Sequence, residues 1–203
     1  MITKTIEYWA LTQLVKERIA REPVEAFILK YFGYDWKYNI FKTDKDEILQ
    51  IYNSDTCLTV IGGSSSDKYE WRSNIKIFSL KRILKERKFL VDGFHYGYWT
   101  SATDVYNNPK MIKRREMIYD CHSRGAGIAI PIIYRFGGRG VGFGVPKVTI
   151  KNIPIDFVNI HNRYDPVTHV APLMKTTGEV RELNFIKSPH TKYGDNINPE
   201  ELI

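Results

Sequence analysis

The segment MIYDCHSRGAGIAI, residues 117–130, sets a serine where an apolar, strand-prone run gives way to a helix-like one. A serine hydroxyl becomes a useful nucleophile only when a base takes its proton and a third group orients that base. A sharp strand-to-helix turn suits this work, because it exposes the hydroxyl on a strained backbone and needs small residues two positions away on either side. Gly125 meets that need on one side of Ser123; Cys121 on the other is small but is not a glycine. The plain alternative is that Ser123 caps a helix. Partners stand further along. Asp165 lies in NRYDPVTHVAP, just after the strand-like DFVNI, and could steady an imidazole; Asp156 is a rival, and a turn is the ordinary role of an aspartate before a proline. His190 lies in SPHTKYG after the strand-like ELNFI and could act as base, with His161 and His169 as competitors. His122 and His95 read as packing or hydrogen-bonding residues, and Cys121 as a minor alternative nucleophile.

These residues need a frame that brings three loops together. TCLTVIGG (56–63) reads as a buried strand ending in a glycine turn, residues 117–121 as a second strand, and about 124–136 as a helix interrupted by Pro131. DFVNI and EVRELNFI supply further strands. Residues 5–32 carry apolar side chains at helical spacing and read as one or two helices, with Pro23 opening the second. The segment 100–116 includes a helix that breaks near Pro109. Gly137, Gly138, Gly140, Gly142 and Gly144 form a turn; no Lys-Ser or Lys-Thr pair follows at the spacing of a phosphate-binding loop. Alternating strands and helices predict an α/β fold with a mostly parallel central sheet flanked by helices. Chemistry in such sheets gathers at the carboxyl ends of the strands. Ser123, Asp165 and His190 each follow a strand.

The 203-residue length fits one domain over 1–203, with a helical amino-terminal part over 1–45 and a core over 55–193. Cys57 and Cys121 make no CxxC pair, so free buried thiols are expected and a zinc site is not. No apolar run approaches the ~20 residues a membrane helix needs, and the amino-terminal stretch lacks the pattern of a signal peptide, so a cytoplasmic protein is expected. The net charge of +7 permits peripheral contact with an anionic lipid surface. The two basic clusters, 81–88 and 110–116, read as solvated helix faces, and nucleic acid is not the expected partner.

Taken in order, the motifs resemble those of the class 3 lipases, the fungal triacylglycerol lipase type within the α/β-hydrolases. VIGGSSSDKYEWRSNI is similar to that family's FRGSSS segment, FHYGYW to VHxGF, and CHSRGA stands where the family has GHSLGG. FGVPKV is similar to FGxPRV, NRYDPVTHVAP to the segment with the family's aspartate, and HTKY to HxxY; the resemblance spans roughly residues 55–193. The chain order Ser123, Asp165, His190 is that of an α/β-hydrolase triad. The resemblance implies a serine hydrolase cleaving carboxylic esters, acylglycerol-like or phospholipid-like, without metal or organic cofactor. It implies Ser123 as nucleophile, His190 as base, Asp165 as the orienting acid, and an oxyanion hole made by Ser64 and the backbone N–H of Arg124. Three positions depart from the pattern: Cys121 replaces a glycine, Gly62 an arginine, and Arg124 an apolar residue, which would set a charge beside the acyl pocket. The segment after Ser64 is polar and basic, so no greasy lid is evident. The second reading is a basic binding protein on the same fold that has lost catalysis.

Overall fold

In the computed structural model, the described residues are 21–63, 90–169, 171, 173–184, 190 and 193. The expected first helix before residue 21, the basic cluster 81–88 and the polar tail after residue 193 lie outside them. Among the described residues the strands are β1 (Lys37–Lys42), β2 (Glu47–Tyr52), β3 (Thr56–Ile61), β4 (Leu90–Val91), β5 (Phe94–His95), β6 (Glu116–His122), β7 (Arg139–Phe143), β8 (Asp156–Asn162) and β9 (Glu179–Leu183). The helices are α1 (Arg21–Tyr31), α2 (Tyr96–Tyr106), α3 (Arg124–Phe136) and the single turn α4 (Pro166–His169).

Seven strands form one mixed sheet in the order β1-β2-β3-β6-β7-β8-β9. The first two join as antiparallel neighbours, and every pairing from β3 to β9 is parallel. The protein is therefore an α/β protein with a mostly parallel sheet, as the alternating pattern predicts. Side-chain alternation sends the two faces of each strand into different cores. Ile61, Tyr119, Cys121 and Phe157 join α2 and α3 on one face, while Leu58, Val60 and Leu49 meet Val24 and Ile28 of α1 on the other. Cys57 and Cys121 are free and buried. No helix among the described residues is long and apolar enough to cross a membrane.

Three expectations need correction. A helical part reaching residue 45 does not form: the helix ends at Tyr31, and Lys37–Lys42 is a strand whose Ile40 and Phe41 pair against Leu49 and Ile48. The glycine-rich turn at 137–144 is largely β7, a strand in the sheet interior. Its glycines serve packing, since a Cβ at Gly140 would stand 2.9 Å from the Tyr119 carbonyl and one at Gly142 2.6 Å from the Phe157 ring. Finally, the basic segment 110–116 is not a helix face. The buried Gln50 amide both donates to the Ile112 carbonyl (2.9 Å) and accepts from its N–H (2.8 Å), which ties the segment to the sheet in extended form. Two backbone bonds satisfied by one buried side chain outweigh a weak helix preference.

Candidate active site

Ser123 sits between β6 and α3 with φ 52° and ψ −120°. A non-glycine residue in that region carries on the order of 1–3 kcal/mol of strain, held only because the surroundings over-determine it. Here the surroundings are visible. The Ser123 N–H donates to the Phe143 carbonyl (2.8 Å), and its own carbonyl accepts from the Ala126 N–H (3.1 Å). A Cβ at Gly125 would lie 2.0 Å from the Ile61 carbonyl oxygen, so the helix start presses on the end of β3 as only glycine allows. The close approach is on the helix side of the turn. That is why Cys121, which packs in the α3-facing core, does not obstruct it. Ser123 makes no capping hydrogen bond with its side chain, so the helix-cap alternative does not describe it.

Instead the hydroxyl meets an imidazole. His190 Nε2 lies 2.9 Å from Ser123 Oγ, and His190 Nδ1 lies 2.8 Å from Asp165 Oδ2. Asp165 is fully buried and collects three donors. Its Oδ1 accepts the Val167 N–H (2.8 Å), and its Oδ2 accepts the Tyr193 hydroxyl (2.6 Å) as well as His190. A carboxylate only accepts, so Nδ1 carries the ring proton and Nε2 is left to receive the proton of the serine hydroxyl. Burial, with the neighbouring Asp165 charge, pushes the Tyr193 phenol far above its ordinary value, which keeps it a donor. The same phenol oxygen accepts the Asn162 N–H (3.0 Å), locking it to the end of β8.

The elements explain the convergence. β6, β7 and β8 are parallel neighbours with His122 opposite Phe143 and Phe143 opposite Ile160, so their carboxyl ends are level. Ser123 follows β6, and Asp165 follows β8 as the residue before the one-turn helix α4, so its turn role and its contact with His190 coexist. Gly144, just past β7, has φ 58°, and a Cβ there would stand 2.7 Å from Asp165 Oδ2 and 2.9 Å from His190 Nδ1. His122 Nε2 donates to the His190 carbonyl at 2.9 Å and steadies its backbone.

The rival residues are elsewhere. Asp156 is exposed at the opposite end of β8, His161 pairs with Glu182 (3.3 Å), and His169 binds the Arg163 carbonyl (2.9 Å). His95 caps α2 by accepting the Gly97 N–H (3.2 Å). Burial pushes the Cys121 thiol well above its ordinary value, which makes it a poor nucleophile. Ser64 lies outside the described residues. Gly63 before it is placed, and a Cβ there would approach Ser123 Cβ to 3.1 Å, so the chain leaving β3 runs beside the serine. Arg124 begins α3, and its N–H is among the first helix amides, which have no intrahelical acceptor. Its guanidinium is turned into the protein against Asp46 and Ser101.

Tyr193 and Gly144 were not among the residues expected at the site. Tyr193 was visible only as the last letter of HTKY, and Gly144 as one of a glycine series. Three groups aligned in this way can move a proton from a hydroxyl to an imidazole and hold the resulting positive charge. Among the described residues no cluster of His, Cys, Asp and Glu could hold a metal ion. No protein-family model matches the chain, and a search of the curated proteins finds no match either.

Proposed function

We propose that this protein is a serine hydrolase that cleaves carboxylic esters through an acyl-enzyme, on an α/β-hydrolase fold of the class 3 lipase type. The observation that carries the reading is the continuous line from Ser123 Oγ through His190 to Asp165, built on a serine held at positive φ. In the proposed reaction Ser123 Oγ attacks the ester carbonyl as His190 Nε2 takes its proton. The tetrahedral oxyanion is met by the Arg124 N–H and, by the family resemblance, by Ser64. His190 then returns the proton to the departing alcohol, leaving an acyl group on Ser123. A water, deprotonated in turn by His190, releases the acid and restores the serine. Asp165 keeps Nδ1 protonated and stabilises the imidazolium, without taking the proton itself.

The substrate class proposed is acylglycerol-like or phospholipid-like esters, with the positive charge of the chain favouring an anionic lipid surface. The test is labelling of the intact protein with a fluorophosphonate, followed by peptide mapping. A single adduct on Ser123 is expected, with ester hydrolysis reduced by a factor on the order of 10⁴–10⁶ in Ser123→Ala. Full hydrolysis by Ser123→Ala would sink the reading. A folded protein that neither labels nor hydrolyses esters would favour a basic binding protein instead.

A further inference from the structure

We propose that the buried Asp46–Arg124 ion pair is a strap across the oxyanion end of the site, making Asp46 and the Arg124 side chain positioning residues for ester hydrolysis. The inference rests on the reading of Ser123 as nucleophile. One guanidinium nitrogen of Arg124 pairs with Asp46 Oδ1, and the other donates to Ser101 Oγ of α2 at 3.0 Å. The two charged side chains are only 12% and 7% exposed, so solvent screens the pair little.

Topology gives the pair its purpose. Asp46 closes the turn between β1 and β2, where Thr43 accepts its N–H (3.0 Å) and donates its own backbone N–H to the Asp46 carbonyl (2.8 Å). β2 runs against β3, with Ile48 opposite Ile61, so this turn stands at the end where β3 finishes. β6 runs with β3, with Ile61 opposite Cys121, so Arg124 stands at that end too. The sheet order there is β2-β3-β6. An Arg124 side chain reaching Asp46 must therefore cross the end of β3, where Gly62 and Gly63 lead toward Ser64.

The crossing leaves no slack. A Cβ on Gly125 would lie 2.7 Å from the Gly62 carbonyl oxygen, and one on Gly63 would lie 3.1 Å from Ser123 Cβ. The chain after β3 is thus pressed against the start of α3, and the strap fastens that start to the turn on the far side. The Arg124 amide assigned to the oxyanion stands at this junction. An apolar side chain could fill the same space without removing two charges from water. What the fork of Arg124 adds is direction: it is held at two points, on two elements, and it fixes the orientation of the first peptide of α3. Oxyanion donors act only within about 2.7–3.1 Å of the developing charge, and a displacement of ~1 Å can cost about 100-fold in rate.

The experiment compares full-length wild type with Asp46→Asn, Arg124→Lys and Arg124→Met. Hydrolysis of a p-nitrophenyl ester is measured, with kcat referred to the Ser123 sites titrated by fluorophosphonate in each sample. The expected result for Asp46→Asn is kcat per titrated site lowered about 10- to 100-fold, with KM within about twofold of wild type. Arg124→Lys should fall between Asp46→Asn and Arg124→Met, because a single ammonium does not reach Asp46 and Ser101 together. A merely structural role would lower the number of titrated sites and leave kcat per site unchanged, and that result overturns the strap. Should Arg124→Met fail to fold, Asp46→Asn decides alone, since it preserves volume and a hydrogen-bonding oxygen. A wild type that does not label at Ser123 overturns the hydrolase reading and the strap with it; a labelled wild type with unchanged variants overturns only the strap.

Discussion

The loop after β8 and the middle of β6 each bury an aspartate completely, and the two are treated in opposite ways. Asp165 receives the Val167 amide, the Tyr193 hydroxyl and His190 Nδ1. Asp120 lies between Val60 and Val141 of the neighbouring strands, and among the described residues neither of its carboxyl oxygens has a hydrogen-bond partner. Burial pushes the Asp120 carboxyl well above its ordinary value, because its charged form is poorly solvated there. Complete burial is common to both. The supply of donors separates them, and it separates a carboxylate that can steady a positive imidazole from one that cannot hold its charge.

The largest effect that would break this contrast is expected at Asp165. Asp165→Asn keeps shape but presents a donor to Nδ1, which reverses the ring tautomer and leaves Nε2 protonated toward Ser123. Ester hydrolysis should fall by a factor on the order of 10⁴, measured as kcat/KM at constant pH. A smaller effect should follow loss of one donor. Tyr193→Phe removes a hydroxyl from Asp165 Oδ2 and, with it, the oxygen that accepts the Asn162 N–H. Activity should fall about tenfold, and unfolding free energy by on the order of 1–3 kcal/mol in a urea titration. The least effect on rate is expected at Asp120. In the unfolded chain its carboxyl ionises near its ordinary value of about 3.9, while the folded protein keeps the proton to higher pH. The Asp120 contribution to stability is therefore intact below about pH 4 and is lost as pH rises toward the raised folded value. Asp120→Asn removes that loss: it should stabilise the protein at pH 8 by on the order of 1–3 kcal/mol, flatten stability against pH above about 4, and leave Ser123 labelling within about twofold. An Asp120→Asn protein that loses labelling while remaining folded would erase the distinction between the two aspartates.

Much of the frame was legible because it rests on local pattern. The buried run at 56–61, the strand before Ser123 and the helix after it follow from short contiguous runs of apolar, strand-prone or helix-like residues bounded by turn residues. β7 was illegible for a matching reason: Arg139–Phe143 carries glycines that normally punctuate a chain, and only neighbours such as Phe157 and Tyr119 explain why a side chain there would not fit. The extended path of residues 110–115 likewise depends on Gln50, a residue far away in sequence.

The same division runs through the site. Residue types and their order made Ser123, Asp165 and His190 candidates beside Asp156, His161 and His169, because each of the three followed a strand-like run, and the resemblance of the ordered motifs favoured them over those rivals. Tertiary structure alone decided that the three lie in hydrogen-bonded line, that Tyr193 and the Val167 amide complete the shell of Asp165, and that Gly144 must leave room beneath His190. It also decided that the charge of Arg124 is turned inward to Asp46. The physical reason is the range of the forces. Periodicity and turn preference act over a few neighbouring residues and can be read along the chain, whereas desolvation, hydrogen-bond partners and close approach depend on which distant strands the fold sets side by side.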